Sequence, residues 1–233
     1  MSAQPRFARS TAIRRGKSGE AAARRERQPA GTTERSLVEA ARRVFADKGY
    51  LRTTVQDILD ATGLSRGAFY LYFRSVDDLF VRMISGVVDE LIASSRVRSG
   101  RTLRQRVYDG NLRYLEVFAA HRGEMRALFE ASYVNPDIAQ IQNRMRSAYL
   151  LRVRDHLVRQ CRLGRCHPID PDSAAYALGL MVEGAVQARV VLALEPFEQP
   201  LALDVLCAQL TDTWCRGVYL DPDQPLSLLA QEP

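Results

Sequence analysis

The 233-residue chain is poor in the residues on which most enzyme chemistry is built: it has three histidines, four cysteines, one tryptophan and two lysines. Cys161, Cys166, Cys207 and Cys215 are too sparse and too late in the chain for a disulfide framework. Reduced, partly buried thiols are expected. Cys161 and Cys166 with His167 have the spacing C-x4-C-H, which lacks the Cys-x2-Cys unit of zinc modules and has no second ligand pair nearby, so no metal site is expected. His121, His156 and His167 lie outside any H-E-x-x-H motif or nucleophile turn, and neither a Walker nor a dinucleotide fingerprint is present. The chain is therefore read as a non-enzyme without cofactor. No apolar run approaches the roughly 18 residues of a membrane span, and the first thirty residues lack the apolar stretch of a secretion signal. A cytoplasmic protein with no membrane partner follows as the expectation. The scarcity of lysine beside 31 arginines reflects base composition more than function.

What is present is unevenly placed. Residues 1–35 hold nine basic and three acidic side chains, so the whole formal charge of +6 sits there and the other 198 residues sum to zero. This arm is rich in Arg, Ala, Ser and Gly and has almost no large apolar residue, so it cannot bury enough surface to offset its ordering entropy. A disordered cationic arm is expected over residues 1–32, suited to a polyanionic partner such as nucleic acid or an anionic membrane surface, or else a solvated tail with no specific role.

Alternating apolar patterns are scarce, whereas helical spacing recurs from residue 33 to about 220. The chain is read as all-α with about nine helices. Leu37, Ala41, Val44 and Phe45 form one face of a helix from about Thr33 to Lys48, which Gly49 stops. Thr54 and Asp57 make a capping-box signature, Gly63 and Leu64 a turn, and Ser65 an N-cap for a short helix through about Leu71. Ser75 and Asp78 form a second capping box that opens a longer helix. Two short helices joined by a glycine turn are the helix-turn-helix pattern. Long helices are predicted over about 101–120, 124–134, 136–163, 172–194 and 200–220.

The stretch from Leu37 to Met83 resembles the DNA-binding head of the TetR family of bacterial transcriptional regulators (TetR/AcrR type). The resemblance rests on Gly49-Tyr50, Thr54, Ile58, Gly63, Ser65, the run Phe69-Tyr70-Leu71-Tyr72-Phe73 and Asp78-Leu79, all at the family's spacing. In a helix-turn-helix the second helix enters the major groove with its N-terminal residues towards base edges. Ser65, Arg66, Gly67 and Ala68 occupy that position. Arg66 has the fork geometry for guanine O6 and N7, and Gly67 admits a close backbone. Phe69 and Phe73 are better placed to pack inward, while Tyr70 falls on the side of Arg66. The resemblance implies a phosphate or base contact for Tyr70 and a place beside the backbone for Tyr72. Thr54 either caps its helix or sets a hydroxyl and N–H groups against a phosphate, or does both. Arg74 is a further phosphate candidate, because Val76 stands where the family commonly carries a phosphate-clamping lysine.

The resemblance further implies an apolar effector cavity in the body, a homodimer through the last two long helices, and binding to a pseudopalindromic operator of double-stranded DNA. The domains are then a basic arm (1–32), a helix-turn-helix head (33–80), an effector-binding and dimerisation body (81–220) and an irregular tail (221–233). Tyr114, Phe118, Phe129, Tyr149, Val182, Glu183 and Trp214 are the ligand-lining candidates, each equally readable as helical core. Glu183 and Gln187 either orient a ligand or hydrogen-bond across the dimer. Gly179, Gly184 and Ala185 suit close helix approach, and Leu203, Leu206, Leu210 and Trp214 form an apolar stripe. Gly179–Glu183 and Trp214–Tyr219 are weakly similar to an actinobacterial subgroup whose members bind elongated lipophilic ligands. The function expected is a repressor released by a small lipophilic effector, or alternatively a DNA-binding regulator with no small-molecule inducer.

Overall fold

The computed structural model describes residues 30–94, 101–194, 196, 198–199 and 201–226. Among these residues there are nine helices. They are α1 (Ala30–Lys48), α2 (Val55–Thr62), α3 (Arg66–Tyr72), α4 (Val76–Ser94), α5 (Leu103–Ala120), α6 (Arg122–Ser132), α7 (Pro136–Arg162), α8 (Pro171–Val186) and α9 (Leu203–Val218). Residues 1–29 of the basic arm lie outside the described residues. Residues 30–32, assigned to the arm on composition, instead form the first turn of α1.

Local chemistry sets the boundaries. Both halves of the Thr54–Asp57 capping box are made, and Gly63, at φ 67°, takes the left-handed position that ends α2. Ser65 Oγ accepts from the Ala68 N–H to open α3. Ser75 Oγ likewise caps the Asp78 N–H at 3.1 Å, but the Asp78 carboxylate reaches past Ser75 to the Arg74 N–H at 2.9 Å. Asn135 and Asp170 cap α7 and α8, whose first residues are Pro136 and Pro171, placed where a missing N–H leaves no helical bond unmade.

Helices α1 to α4 close around Leu37, Ala41, Phe45, Ile58, Leu59, Phe69, Phe73, Leu79 and Phe80, all buried. Phe80 meets Phe45 edge-on at 4.8 Å and Tyr50 at 4.9 Å. Burying one such ring stabilises by about 1.5–3 kcal/mol, and truncating Phe80 to alanine would cost about 3–5 kcal/mol once the cavity is included. Arg82 lies over the Phe73 ring and pairs with Glu34 at 2.6 Å, pinning the start of α1 to α4.

The far end of α1 is gripped by α6. Arg42 pairs with Glu124 at 2.9 Å, Arg126 donates to the Ala46 carbonyl at 2.7 Å, and Glu130 accepts the Tyr50 N–H at 2.9 Å. Tyr50 completes the joint, donating its hydroxyl to Asp77 of α4 at 2.7 Å and accepting from Asn135 at 3.3 Å. In the body α7 packs on α8, α6 and α4, while α5 packs on α9 and α4.

Helix α8 runs on through a π-helical turn, Gln187–Val191, that lies against α5 and α6. Taken together, Pro171–Val191 is 21 residues long and carries an 18-residue stretch with a mean hydropathy of 1.2, so by length and composition it matches a membrane span, longer than the sequence reading allowed. Only 39% of that stretch is buried within the chain, and of the two carboxylates between Pro171 and Val191 the inner one, Glu183, is ion-paired to Arg146 while Asp172 stands in the first turn. Beyond α9, residues 221–226 are irregular but fixed to the start of α5: Arg104 N–H donates to the Pro222 carbonyl at 3.0 Å and the Arg104 guanidinium pairs with Asp223 at 2.8 Å. The rest of the predicted tail lies outside the described residues.

Candidate nucleic-acid interface and effector site

Helix α3 has two unlike faces. Phe69 and Phe73 point into the head core, while Ser65, Arg66, Gly67 and Arg74 are exposed and Tyr70 is 54% exposed. Ala68 and Tyr72 are half-buried at the edge. The Tyr70 ring rests edge-on against Phe69 at 5.3 Å, so its position is set by the core although its hydroxyl faces outward. Arg66 reaches back to α2, donating to Gln56 Oε1 at 3.2 Å, and Gln56 in turn donates to Asp60 at 2.7 Å. A β-carbon on Gly67 would meet Ser65 Oγ at 3.8 Å, an ordinary contact, so nothing within the chain demands glycine there.

Thr54 is more committed than its sequence position suggests. Its hydroxyl and its backbone N–H both donate to Asp57 Oδ2, at 2.7 and 2.9 Å, and its Oγ1 accepts from the Asp57 N–H. The capping role therefore takes every polar group of Thr54, leaving the Val55 and Gln56 N–H groups at this helix end for an anion. Lys48 pairs with Asp57, and the lysine and the Thr54 bonds hold that carboxyl down at about 2. Two exposed residues on this side escaped the sequence reading: Gln56, which holds Arg66, and Leu71, 77% exposed. The exposure of Leu71 was legible only from the burial of Phe69 and Phe73, whose helical phase turns residue 71 outward.

The family of this head follows from its sequence. Residues 37–83 match the model of the bacterial regulatory proteins of the tetR family. The chain belongs to the TetR family. It is 26% identical to the HTH-type transcriptional regulator EthR of Mycolicibacterium smegmatis over 84% of this chain and 91% of that protein. An uncharacterised regulator of Bacillus subtilis, YfiR, is 44% identical over 54 residues, 23% of this chain. The match spans 26% of YfiR and, in a second B. subtilis regulator, YuxN, 20%, so the chain covers about a quarter or less of the length of these relatives. The fold extends further. NalD of Pseudomonas aeruginosa, the secondary repressor of the MexAB-OprM multidrug efflux pump, superposes with a TM-score of 0.65 at 22% identity, covering 83% of this chain and all of NalD. A TetR-family transcriptional regulator belongs to a family of DNA-binding proteins, not of enzymes.

In the body of this TetR-family chain, Tyr114, Phe118, Phe129, Tyr149, Val182, Glu183 and Trp214 are all buried. Four of them converge. Tyr114 stacks on Tyr149 at 4.7 Å and leans on Phe118 at 4.9 Å, and Glu183 lies close enough to both tyrosines to push their ionisation upward, after the larger effect of burial. The Tyr149 hydroxyl is buried with no hydrogen-bond partner. Glu183 is engaged within the chain: it holds a two-pronged ion pair with Arg146 of α7, at 2.8 Å from both Nε and Nη2. Arg146 was missed because its partner is 37 residues away, beyond any local spacing rule.

Trp214 belongs elsewhere. It lies beside Tyr219, whose hydroxyl meets His156 Nε2 at 2.8 Å. His156 is seven residues beyond Tyr149 on α7, about 10 Å along the axis, so Trp214 does not join the Tyr114–Tyr149 cluster. Burial, with help from Arg159 and Arg106, lowers the His156 pKa to about 4. Phe129 sits on α6, between this body and the end of α1.

Three positions nominated for the dimer serve the chain itself. A β-carbon on Gly179 would collide with the Leu150 side chain and touch the Tyr149 ring at 3.4 Å, so Gly179 lets α8 approach α7. Leu210 and Trp214 turn inward. The outward faces instead carry Tyr176 (62% exposed), Ala177, Gly184 and, on α9, Val205 (54% exposed), and a β-carbon on Gly184 would meet nothing.

Proposed function

We propose that this regulator binds a pseudopalindromic operator as a homodimer, acts as a repressor in the cytoplasm, and is released by a small, largely apolar effector held in its body. The observation that carries the DNA reading is the division of α3: a core-anchored tyrosine and an exposed arginine stand beside a glycine for which the chain itself has no packing need. Arg66 reads guanine, Tyr70 meets phosphate or base, Ser65, Gly67 and Ala68 let the backbone approach, and Tyr72 and Arg74 flank the phosphates. At the α2 end the main-chain N–H groups beside Thr54 take the anion. The basic arm adds affinity that does not depend on sequence.

The dimer forms through α8 and α9, whose uncovered apolar stripe with Gly184 suits close helix approach. Two heads then address successive major grooves. An effector enters beside Tyr114 and Tyr149, where the unpartnered Tyr149 hydroxyl offers a single hydrogen bond in apolar surroundings. Its binding favours a body arrangement that changes the separation of the heads. NalD, a repressor by its description, is consistent with that sign of regulation.

The test is a fluorescence-anisotropy titration of operator fragments selected from a random pool. Arg66→Ala with Tyr70→Ala is expected to abolish sequence preference while sedimentation still gives a dimer; unchanged preference overturns the DNA assignment. For the effector, a thermal-shift screen of lipophilic compounds is repeated on Tyr149→Phe. A compound that stabilises both proteins equally removes the hydroxyl from the site.

A further inference from the structure

The four cysteines divide into two unlike pairs. Cys207 and Cys215, on α9, are buried, and burial pushes both thiols up to about 11. Cys161 and Cys166 are both half-buried, and the backbone brings them together. Cys161 stands in the last turn of α7. Behind it the chain reverses through a Schellman turn: Gly164, at φ 67°, donates its N–H to the Cys161 carbonyl at 2.9 Å, and Arg165 donates to the Gln160 carbonyl at 3.1 Å. Cys166 is then held from the other side by an antiparallel bridge to Tyr219, flanked by His167 N–H to Val218 O and Leu220 N–H to Arg165 O, each at 2.9 Å. The reversal returns Cys166 to the end of α7, beside Cys161 and near enough for the Cys161 thiol to act on its ionisation.

We propose that Cys161 and Cys166 form a redox-active dithiol that a hydroperoxide converts into an intramolecular disulfide. Three requirements meet here and nowhere else among the four cysteines: two thiols brought side by side by a chain reversal, access for a small oxidant, and a backbone fixed on both sides of the pair. In the first step the Cys161 sulfur attacks the terminal oxygen of R–O–O–H. The S–O bond forms, the O–O bond breaks, and the alkoxide leaves as ROH with the thiol proton. In the second, the Cys166 sulfur attacks the resulting sulfenic sulfur; the S–S bond forms, the S–O bond breaks, and hydroxide leaves as water with the Cys166 proton. Two thiols are oxidised and one peroxide is reduced to an alcohol and water. Burial and the neighbouring Cys161 raise the Cys166 pKa, so Cys166 is the weaker nucleophile of the two and Cys161 is the one that meets the peroxide first.

The disulfide would fasten the end of α7 to the segment that pairs with Tyr219, itself joined to α7 again through His156. This inference is independent of the effector reading. The experiment treats the full chain with hydrogen peroxide, blocks free thiols under native conditions, and maps unreduced peptides by mass spectrometry. The expected result is loss of two hydrogens and a 161–166 cross-link that a dithiol reductant reverses. Neither Cys161→Ser nor Cys166→Ser should give the cross-link, and Cys207 and Cys215 should remain thiols in all three proteins. Unmodified thiols, sulfenic or sulfinic acid accumulating on Cys161 while Cys166 is present, or a disulfide between two chains would each overturn the proposal.

Discussion

Gly123 packs its bare α-carbon against Ala46, so closely that a β-carbon added at Gly123 would lie 2.8 Å from the Ala46 α-carbon and closer still to its methyl. The neighbour is backbone on a second helix and cannot swing aside. Gly123→Ala is therefore expected to spread α1 and α6 and to cost about 1–3 kcal/mol. Differential scanning calorimetry should show a lower or split transition for the variant. An unshifted melting temperature would mean that the two helices slide without loss.

Gly67→Ala should behave in the opposite way. The added methyl finds only ordinary contact at 3.8 Å, so the melting temperature should hold, while operator affinity falls because the methyl stands where DNA backbone approaches. A variant that binds as tightly as the parent would remove Gly67 from the interface.

The Arg146–Glu183 pair should respond asymmetrically. The Glu183 side chain is 4% exposed and that of Arg146 36%. Removing the glutamate, as in Glu183→Leu, frees an arginine that can turn to water. Removing the arginine, as in Arg146→Met, strands a buried carboxylate, a loss of about 3–5 kcal/mol. Chemical denaturation of both single variants should rank Arg146→Met as clearly the less stable; equal losses would show that the pair acts through packing instead of charge.

His156 sets a pH dependence. Its folded pKa, lowered to about 4, lies below the ordinary 6.5, so the unfolded chain binds a proton in this window and the folded chain does not. The stability contributed by neutral His156 is complete above about pH 6.5 and is lost as the pH falls towards 4. Melting temperatures of the parent and His156→Gln, followed from pH 7.5 to 4.5, should converge on acidification; a constant difference would contradict the shift.

Deleting residues 1–29 removes eight basic and two acidic side chains. The slope of log affinity against log salt should become shallower on every DNA sequence, with the preference among sequences unchanged. An unaltered slope would leave the arm without a phosphate contact.

The head was legible because its signals are local. Thr54 and Asp57, Gly63, and Ser65 each act within four residues, and the structure makes every one of these caps. The inward turn of Phe69 and Phe73 follows from helical phase alone. The body was less legible because its decisive contacts join distant positions. Nothing near Gly179 announces the Leu150 side chain that fills its missing β-carbon, and nothing near Glu183 announces Arg146. The π turn at Gln187–Val191 was likewise hidden, since its residues continue the apolar pattern of α8 while changing the winding.

The joint between α1 and α6 has a consequence for how such proteins are recombined. It is made from a glycine facing an alanine, a guanidinium on a terminal carbonyl, and one carboxylate on a main-chain N–H, so it reads the shape of the helix end more than the identity of its side chains. A head from another chain would need a small residue at position 46, glycine at 49 and an arginine facing Glu124 to reproduce this crossing, and an α4 that matches α5 and α7. Head and body thus meet through main-chain shape at this crossing and through side-chain packing where α4 lies on α5 and α7.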